Sequence, residues 1–159
     1  MNLLQIRKHL FYREYMSGIA RDKLRVNSTG EVFTPTERVE IILDNIEKND
    51  TDAFTKVDNT FIDRSAGDGQ FLASVLYRKL QNGIDFETAL STIYGVDLMQ
   101  DNVELCRERL LCGFEEYRHI VEQNIVQADG LRYHYRFQGP GENPYDDEAD
   151  EQHFGTLFD

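Results

Sequence analysis

The stretch Phe61-Ile-Asp-Arg-Ser-Ala-Gly-Asp-Gly-Gln-Phe-Leu72 constrains this chain more than any other. A hydrophobic run ends in Asp63, glycines follow at Gly67 and Gly69, and Gln70, Phe71 and Leu72 open a helix at once. A strand that becomes a helix through so short a turn needs backbone conformations that only glycine adopts without strain. The same turn leaves main chain bare enough for a small cofactor to lie against it.

Elements of the same kind recur on both sides. Residues 2–20 read as a helix with Leu3, Ile6, Leu10, Tyr15 and Ile19 apolar, followed by a polar connector from Arg21 to Gly30. Thr34-Pro35-Thr36-Glu37 combines an N-cap threonine, a proline at the first helical position and a glutamate three residues after the cap. Val39, Ile42, Leu43 and Ile46 then recur at helical spacing, which predicts a helix from about Pro35 to Lys48. A strand over Thr60–Asp63 leads into a helix over Gln70–Gln81, stopped by Asn82-Gly83, and a short helix near Phe86–Leu90. A second strand, Ile93–Asp97, leads into a helix over Asp101–Cys112 closed by Gly113, and a third strand, Ile125–Ala128, ends at Asp129. This alternation predicts a parallel sheet covered by helices. Leu131, Tyr133, Tyr135 and Phe137 alternate with Arg132, His134 and Arg136, the pattern of a half-exposed strand at an edge.

Asp63, Asp97 and Asp129 each terminate a predicted strand. One such aspartate reads as a turn former or helix cap. Three in succession converge on the carboxyl rim of an open parallel sheet, where ligands bind. The loop Gly67-Asp68-Gly69-Gln70-Phe71-Leu72 lacks the third glycine of a dinucleotide fingerprint, and Asp68 would set a like charge against a pyrophosphate. Asp97 follows Gly69 by 28 positions, more than the spacing of about 20 usual in nicotinamide domains. A phosphate-cradling Gly-Lys-Ser/Thr sequence is missing. A cationic ligand with hydroxyls and an amine suits these acids, and S-adenosylmethionine has a ribose, an ammonium and a sulfonium.

Four segments, Gly30-Glu-Val-Phe-Thr-Pro35, Asp63 to Leu72, Tyr94-Gly-Val-Asp97 and Gln127-Ala-Asp-Gly-Leu131, resemble the successive cofactor motifs of adenine-specific (N6) DNA methyltransferases. Their order is that of the group containing type I modification subunits, and the resemblance covers roughly residues 25–131. It implies a Rossmann-like class I methyltransferase fold of α/β class, its parallel sheet truncated and preceded by an N-terminal helical segment. It also implies S-adenosylmethionine as cofactor. Phe33 and Thr34 would then line the methionine end, and Asp63 with the Ser65–Gly69 backbone would hold the amino-acid moiety. Asp97 would accept from both ribose hydroxyls, and Asp129 from the adenine amino group. Pro35, Ser65, Ala66, Gly67, Gly69, Leu98 and Gly130 complete the implied cofactor wall, while Phe71 and Leu72 read as helix-packing residues. Arg64 stands where the family carries a proline.

Family members that methylate an exocyclic amine continue to a fourth strand ending in Asn/Asp-Pro-Pro-Tyr/Phe. Its oxygens hold the target amine and its aromatic ring stacks on the flipped base. The only counterpart is Asn143-Pro144-Tyr145, one proline short and preceded by the turn Gln138-Gly-Pro-Gly-Glu142. Read as a catalytic motif it makes the chain an active adenine methyltransferase, alone or completed by a partner chain. Read as an Asn-Pro turn it leaves a domain that binds cofactor without independent catalysis, a binding or regulatory module of restriction–modification or phage character. Phe154-Gly-Thr-Leu-Phe158 reads as a fourth strand, with Asp159 directly after it. The first strand would then lie near an open edge, covered by the Leu131–Phe137 strand, the N-terminal helix, a second copy or a protein partner.

At 159 residues the chain forms one domain, short for an enzyme carrying its own target-recognition module. Its parts divide as 1–30, an N-terminal helix and basic connector; 31–137, the cofactor-binding domain; and 138–159, an acidic tail. The net charge of −12 opposes binding to DNA, which is held through Lys and Arg, so DNA contact is expected only with a partner subunit. Arg7, Lys8, Arg13, Arg21, Lys23 and Arg25 crowd the start, either as a solvated helix face or as a nucleic-acid contact. From Gly139 onward there is no Lys or Arg, and this end reads as a solvated tail or as a docking or DNA-mimicking surface. No apolar run reaches the length of a membrane span and no signal-peptide pattern opens the chain. Cys106 and Cys112, six residues apart on one helix, read as reduced, semi-buried thiols of a cytoplasmic protein. His9, His119, His134 and His153 are too scattered for a metal site, and no nucleophile–base pair is visible.

Overall fold

The computed structural model describes residues 1–11 and 34–146. Three parallel strands, β1 (Phe61–Asp63), β2 (Ile93–Asp97) and β3 (Ile125–Gln127), lie side by side in that order. Asp63 stands opposite Gly95, and Asp97 opposite Gln127. The strand ends therefore climb like a staircase, each aspartate two residues, or about 6–7 Å, beyond the one before.

Parallel neighbours cannot be joined by hairpins, so helices carry the chain back between them. Helices α3 (Gln70–Gln81) and α4 (Phe86–Ser91) join β1 to β2; α5 (Gln100–Leu111), a 3-10 turn at Glu115–Tyr117 and α6 (Arg118–Asn124) join β2 to β3. Two further helices, α1 (Leu3–Phe11) and α2 (Thr36–Asn49), precede the sheet. The result is the α/β, Rossmann-like arrangement expected, with a sheet of three strands among the described residues. Of the expected N-terminal helix, residues 12–20 lie outside the described residues, as do the 21–30 connector and the 154–158 strand.

The main core lies on one face of the sheet, where Leu72, Val75 and Leu76 of α3 and Val103, Leu110 and Leu111 of α5 pack with Ile93 and Ile125. Gly95 admits this packing, since a Cβ there would stand 2.8 Å from Leu72 Cδ1. Helix α2 is tied to α3 by Arg78, whose guanidinium meets Glu40 and Asp44 at 2.7 Å and Glu47 at 3.2 Å. These acids recur at i, i+4 and i+7, so they form one row facing one cation. Cys106 and Cys112 are fully buried rather than semi-buried. Cys112 lies just past α5 with φ 52°, so the left-handed turn begins one residue before Gly113. Among the described residues no helix is long and apolar enough to cross a membrane.

Three local expectations change. Thr34 does not cap α2: Pro35 occupies the cap position, its carbonyl accepting from Arg38 and Val39, and no side chain caps the helix. Leu131–Phe137 is not a strand. Tyr135 and Phe137 have φ of 57° and 49°, and Arg132 and Tyr133 donate to the Asp129 carbonyl, curling the chain into a turn. The alternating aromatics instead fold into a coil over the second face of the sheet. Tyr133 and Phe137 are buried there with Val96, Val126 and Ala128, and Tyr94 and Phe137 rings lie 4.7 Å apart. Burying Phe137 contributes about 1.5–3 kcal/mol to holding the coil on the sheet. Finally, no described strand pairs with the outer edge of β1, and Ile62 on it is 45% exposed. Helix α1, one of the expected covers, packs on α3 and α5 instead.

The entry to α3 is the tightest point of the fold. Gly69 has φ 88°, and a Cβ on it would stand 2.7 Å from Cys106 Sγ on α5. Gly69→Ala is expected to destabilise the protein by about 2–4 kcal/mol in urea unfolding, from left-handed strain and overpacking together. Cys106→Ala in that background should recover the packing share alone. A strictly additive double-mutant cycle would refute the contact.

Candidate functional site

At the carboxyl rim, the loop 64–69, the segment 97–99, the segment 129–131 and the start of α2 enclose a cavity of about 800 Å³. Of the residues singled out in the sequence, Thr34, Asp63, Ser65, Ala66, Gly67, Asp97, Leu98, Asp129 and Gly130 line it. Pro35 and Gly69 do not: Pro35 is an exposed helix cap, and Gly69 is buried against Cys106. Phe33 lies outside the described residues. The wall also contains residues that the sequence did not mark as cofactor contacts, notably Val39, Ile42, Arg64, Met99 and Leu131. Phe71 was expected only to pack, and it does so, but it also faces this cavity. Val39 and Ile42 share the apolar stripe of α2, so helical periodicity alone could not separate a core-facing role from a cavity-facing one.

The three strand-end carboxylates are held differently. Asp97 is the most engaged: Oδ2 accepts from Gly67 N–H at 2.9 Å, while Oδ1 accepts from Met99 N–H at 2.9 Å and Asn102 Nδ2 at 3.1 Å. A carboxylate offers about four lone-pair sites, so Asp97 shapes the glycine loop and retains limited capacity toward a ligand. Among the described residues Asp63 accepts from Ser65 N–H alone, at 3.0 Å on Oδ1. Burial raises its pKa above the usual carboxylate value; the Ser65 N–H opposes this and the negative charge of Asp97 adds to it. Asp129 accepts from Leu131 N–H at 2.9 Å on Oδ1.

Asp68 was expected to face the ligand and so to disfavour a pyrophosphate, yet its carboxylate is buried and paired at 3.3 Å with the buried Arg109 of α5. The Asp68 charge is thus balanced within the core, and the other charged residues lining the cavity are Asp63, Asp97 and Asp129, with Arg64 of opposite sign at its edge. Such a site suits a cation carrying hydroxyl and amine donors.

Asn143-Pro144-Tyr145 lies outside the cavity wall. Asn143 Oδ1 accepts from Tyr145 N–H at 3.2 Å, and the Pro144 carbonyl accepts from His134 N–H at 3.2 Å. The Tyr145 hydroxyl accepts from Asp129 N–H at 3.0 Å, and the Arg132 guanidinium lies 4.8 Å from its ring centroid. The tripeptide thus forms an Asx turn that supports Asp129 from behind. No group of His, Cys, Asp or Glu among the described residues could hold a metal ion.

A model of the N-6 DNA methylase family matches residues 11–142, most of the chain. The chain belongs to the N-6 DNA methylase family. Neither a curated protein nor a solved structure gives a significant match. N-6 DNA methylases take their methyl group from S-adenosylmethionine, and the acids and bare loop of this cavity are chemically compatible with it.

Because Asp97 serves the loop as well as the cavity, its loss should be felt without any ligand. Asp97→Asn sets an amide NH2 against at least one of three donors and is expected to cost about 1.5–3 kcal/mol. Urea unfolding of the ligand-free protein measures this, and wild-type stability would show that Asp97 does not hold the loop.

Proposed function

We propose that this N-6 DNA methylase domain binds S-adenosylmethionine at the strand-end cavity and acts as a binding or regulatory module without independent turnover. The observation that carries the cofactor reading is the gathering of Asp63, Asp97 and Asp129 beside an uncharged stretch of loop backbone in one cavity. Asp63 with the loop backbone receives the amino-acid end, Asp97 a ribose hydroxyl, and Asp129 the adenine amino group. Thr34, Leu98 and Gly130 complete the wall. The binding-module reading is supported by the Asn143 side-chain oxygen and Pro144 carbonyl, the two acceptors that would hold a target amine, being engaged in the Asx turn and with His134. Residues 31–137 form the cofactor-binding domain, flanked by the basic 1–30 segment and the acidic 138–159 tail. The open β1 edge is where a second copy or protein partner attaches, and DNA is reached through that partner.

Cofactor binding carries a pH signature. A bound cation favours the ionised form of Asp63 and lowers its raised pKa, so binding releases a proton. Affinity should therefore rise with pH until Asp63 is ionised in the ligand-free protein too, and then level off. Calorimetric titration with S-adenosylmethionine between about pH 4 and 7, where the cofactor's amine stays protonated, reads this directly. In Asp63→Asn the rise should vanish; an unchanged slope would dissociate Asp63 from the ligand. Heats that are the same for wild type and Asp97→Ala would remove the cofactor reading altogether.

Turnover is tested separately. Transfer of labelled methyl to unmethylated DNA by the chain alone should stay at background. Transfer abolished by Asn143→Ala would instead establish Asn143-Pro144-Tyr145 as catalytic.

A further inference from the structure

Arg64, where the family carries a proline, is exposed but hydrogen-bonded across the rim. Its Nη2 donates to the Gly130 carbonyl at 3.2 Å and its Nε to the Tyr135 hydroxyl at 3.0 Å. Tyr135 in turn donates to the same Gly130 carbonyl at 2.6 Å, and the Arg64 guanidinium lies 5.5 Å from its ring centroid. The two backbones also touch, since a Cβ at position 130 would stand 2.3 Å from the Arg64 carbonyl oxygen. These contacts span β2, because β1 and β3 are not neighbours in the sheet. Residue 130 directly follows Asp129, whose carboxylate lines the cavity and accepts from Leu131 N–H on one oxygen.

We propose that Arg64 and Tyr135 are positioning residues that clamp Gly130 and thereby set the Asp129 carboxylate to select a nucleobase carrying an exocyclic amine over one carrying a carbonyl. The inference rests on the cofactor reading above. Asp129 is a pure acceptor when ionised, so it rewards an N–H donor and repels a carbonyl oxygen at the same place. Selection of this kind depends on where the carboxylate sits. Gly130 lacks a side chain that could brace the turn by packing, and its carbonyl is fixed by the guanidinium and the phenol. Arginine suits the role because its planar fork reaches the carbonyl and the hydroxyl at once, which a lysine ammonium cannot reproduce with the same geometry.

The experiment compares the affinities of S-adenosylhomocysteine and S-inosylhomocysteine, which differ at position 6 of the base, by calorimetry on the full chain. Wild type is expected to prefer the amino compound. Arg64→Ala should reduce that preference by about three- to tenfold, the worth of a hydrogen bond, and Arg64→Lys should restore part of it. Tyr135→Phe removes the hydroxyl but keeps the ring, and should reproduce the loss in a protein with wild-type thermal stability. Equal weakening of both compounds, with the ratio between them unchanged in Arg64→Ala and Tyr135→Phe, overturns the proposal by making the clamp merely structural. Binding of neither compound by wild type overturns the cofactor reading and this inference with it. A wild type that binds both without preference removes this inference alone.

Discussion

The arrangement of the rim depends on one buried guanidinium. Arg109 of α5 donates from Nε to the Leu10 carbonyl at 2.8 Å, from Nη1 to Asp68 at 3.3 Å and from Nη2 to Gln70 Oε1 at 2.7 Å. Gln70 Nε2 then donates to Thr36 Oγ1 at 2.9 Å. A single side chain thereby connects α1, the glycine loop, α3 and the first turn of α2. Burying a charge in this way is costly unless it is fully paired, and removing one partner of a buried pair costs about 3–5 kcal/mol. Such a network contributes little net stability against a well-packed apolar alternative. Its physical effect is to hold the loop in one place, because any displacement of Asp68 or Gln70 strands a charge in the core.

This pairing also determines the electrostatic character of the cavity. With Asp68 balanced by Arg109, residues 65–67 of the loop offer N–H groups and short side chains, and the three strand-end aspartates, with Arg64 beside them, make up the charged wall. Those three are not equivalent. Asp97 is committed to Gly67, Met99 and Asn102 and behaves as part of the scaffold, whereas Asp63 accepts a single backbone N–H among the described residues and has its pKa raised by burial. The staggered strand ends spread the three carboxylates along the rim.

The segment after β3 shows where pattern and structure part. Leu131, Tyr133, Tyr135 and Phe137 alternate as a strand would, yet Leu131 is 88% exposed while Tyr133 and Phe137 are buried. Asp129 begins a turn that starts the chain in the wrong direction for pairing, and Glu142 then secures the coil, accepting from the Tyr133 hydroxyl and from Gln138 N–H. An alternating sequence encodes only that apolar groups recur every second residue. Whether a sheet edge is available to pair with is decided by the rest of the molecule. Arg64 makes the same point for the site: it read as an oddity within a motif and emerges as a contact reaching across β2.

The sequence alone determined the three strands, the helices between them and the family, because hydrophobic period, glycine punctuation and strand-end acids are local properties of the chain. It likewise placed Asp63, Asp97 and Asp129 on one rim, since a parallel sheet with helical crossovers leaves its carboxyl ends together. Only the tertiary structure decided how each carboxylate is used: Asp68 withdrawn by Arg109, Asp97 engaged by the loop, Asp129 braced through Gly130 and Tyr145. Those partners lie from about 15 to more than 40 positions away in the chain, and no local pattern specifies which distant donor will meet which acceptor once the helices have packed.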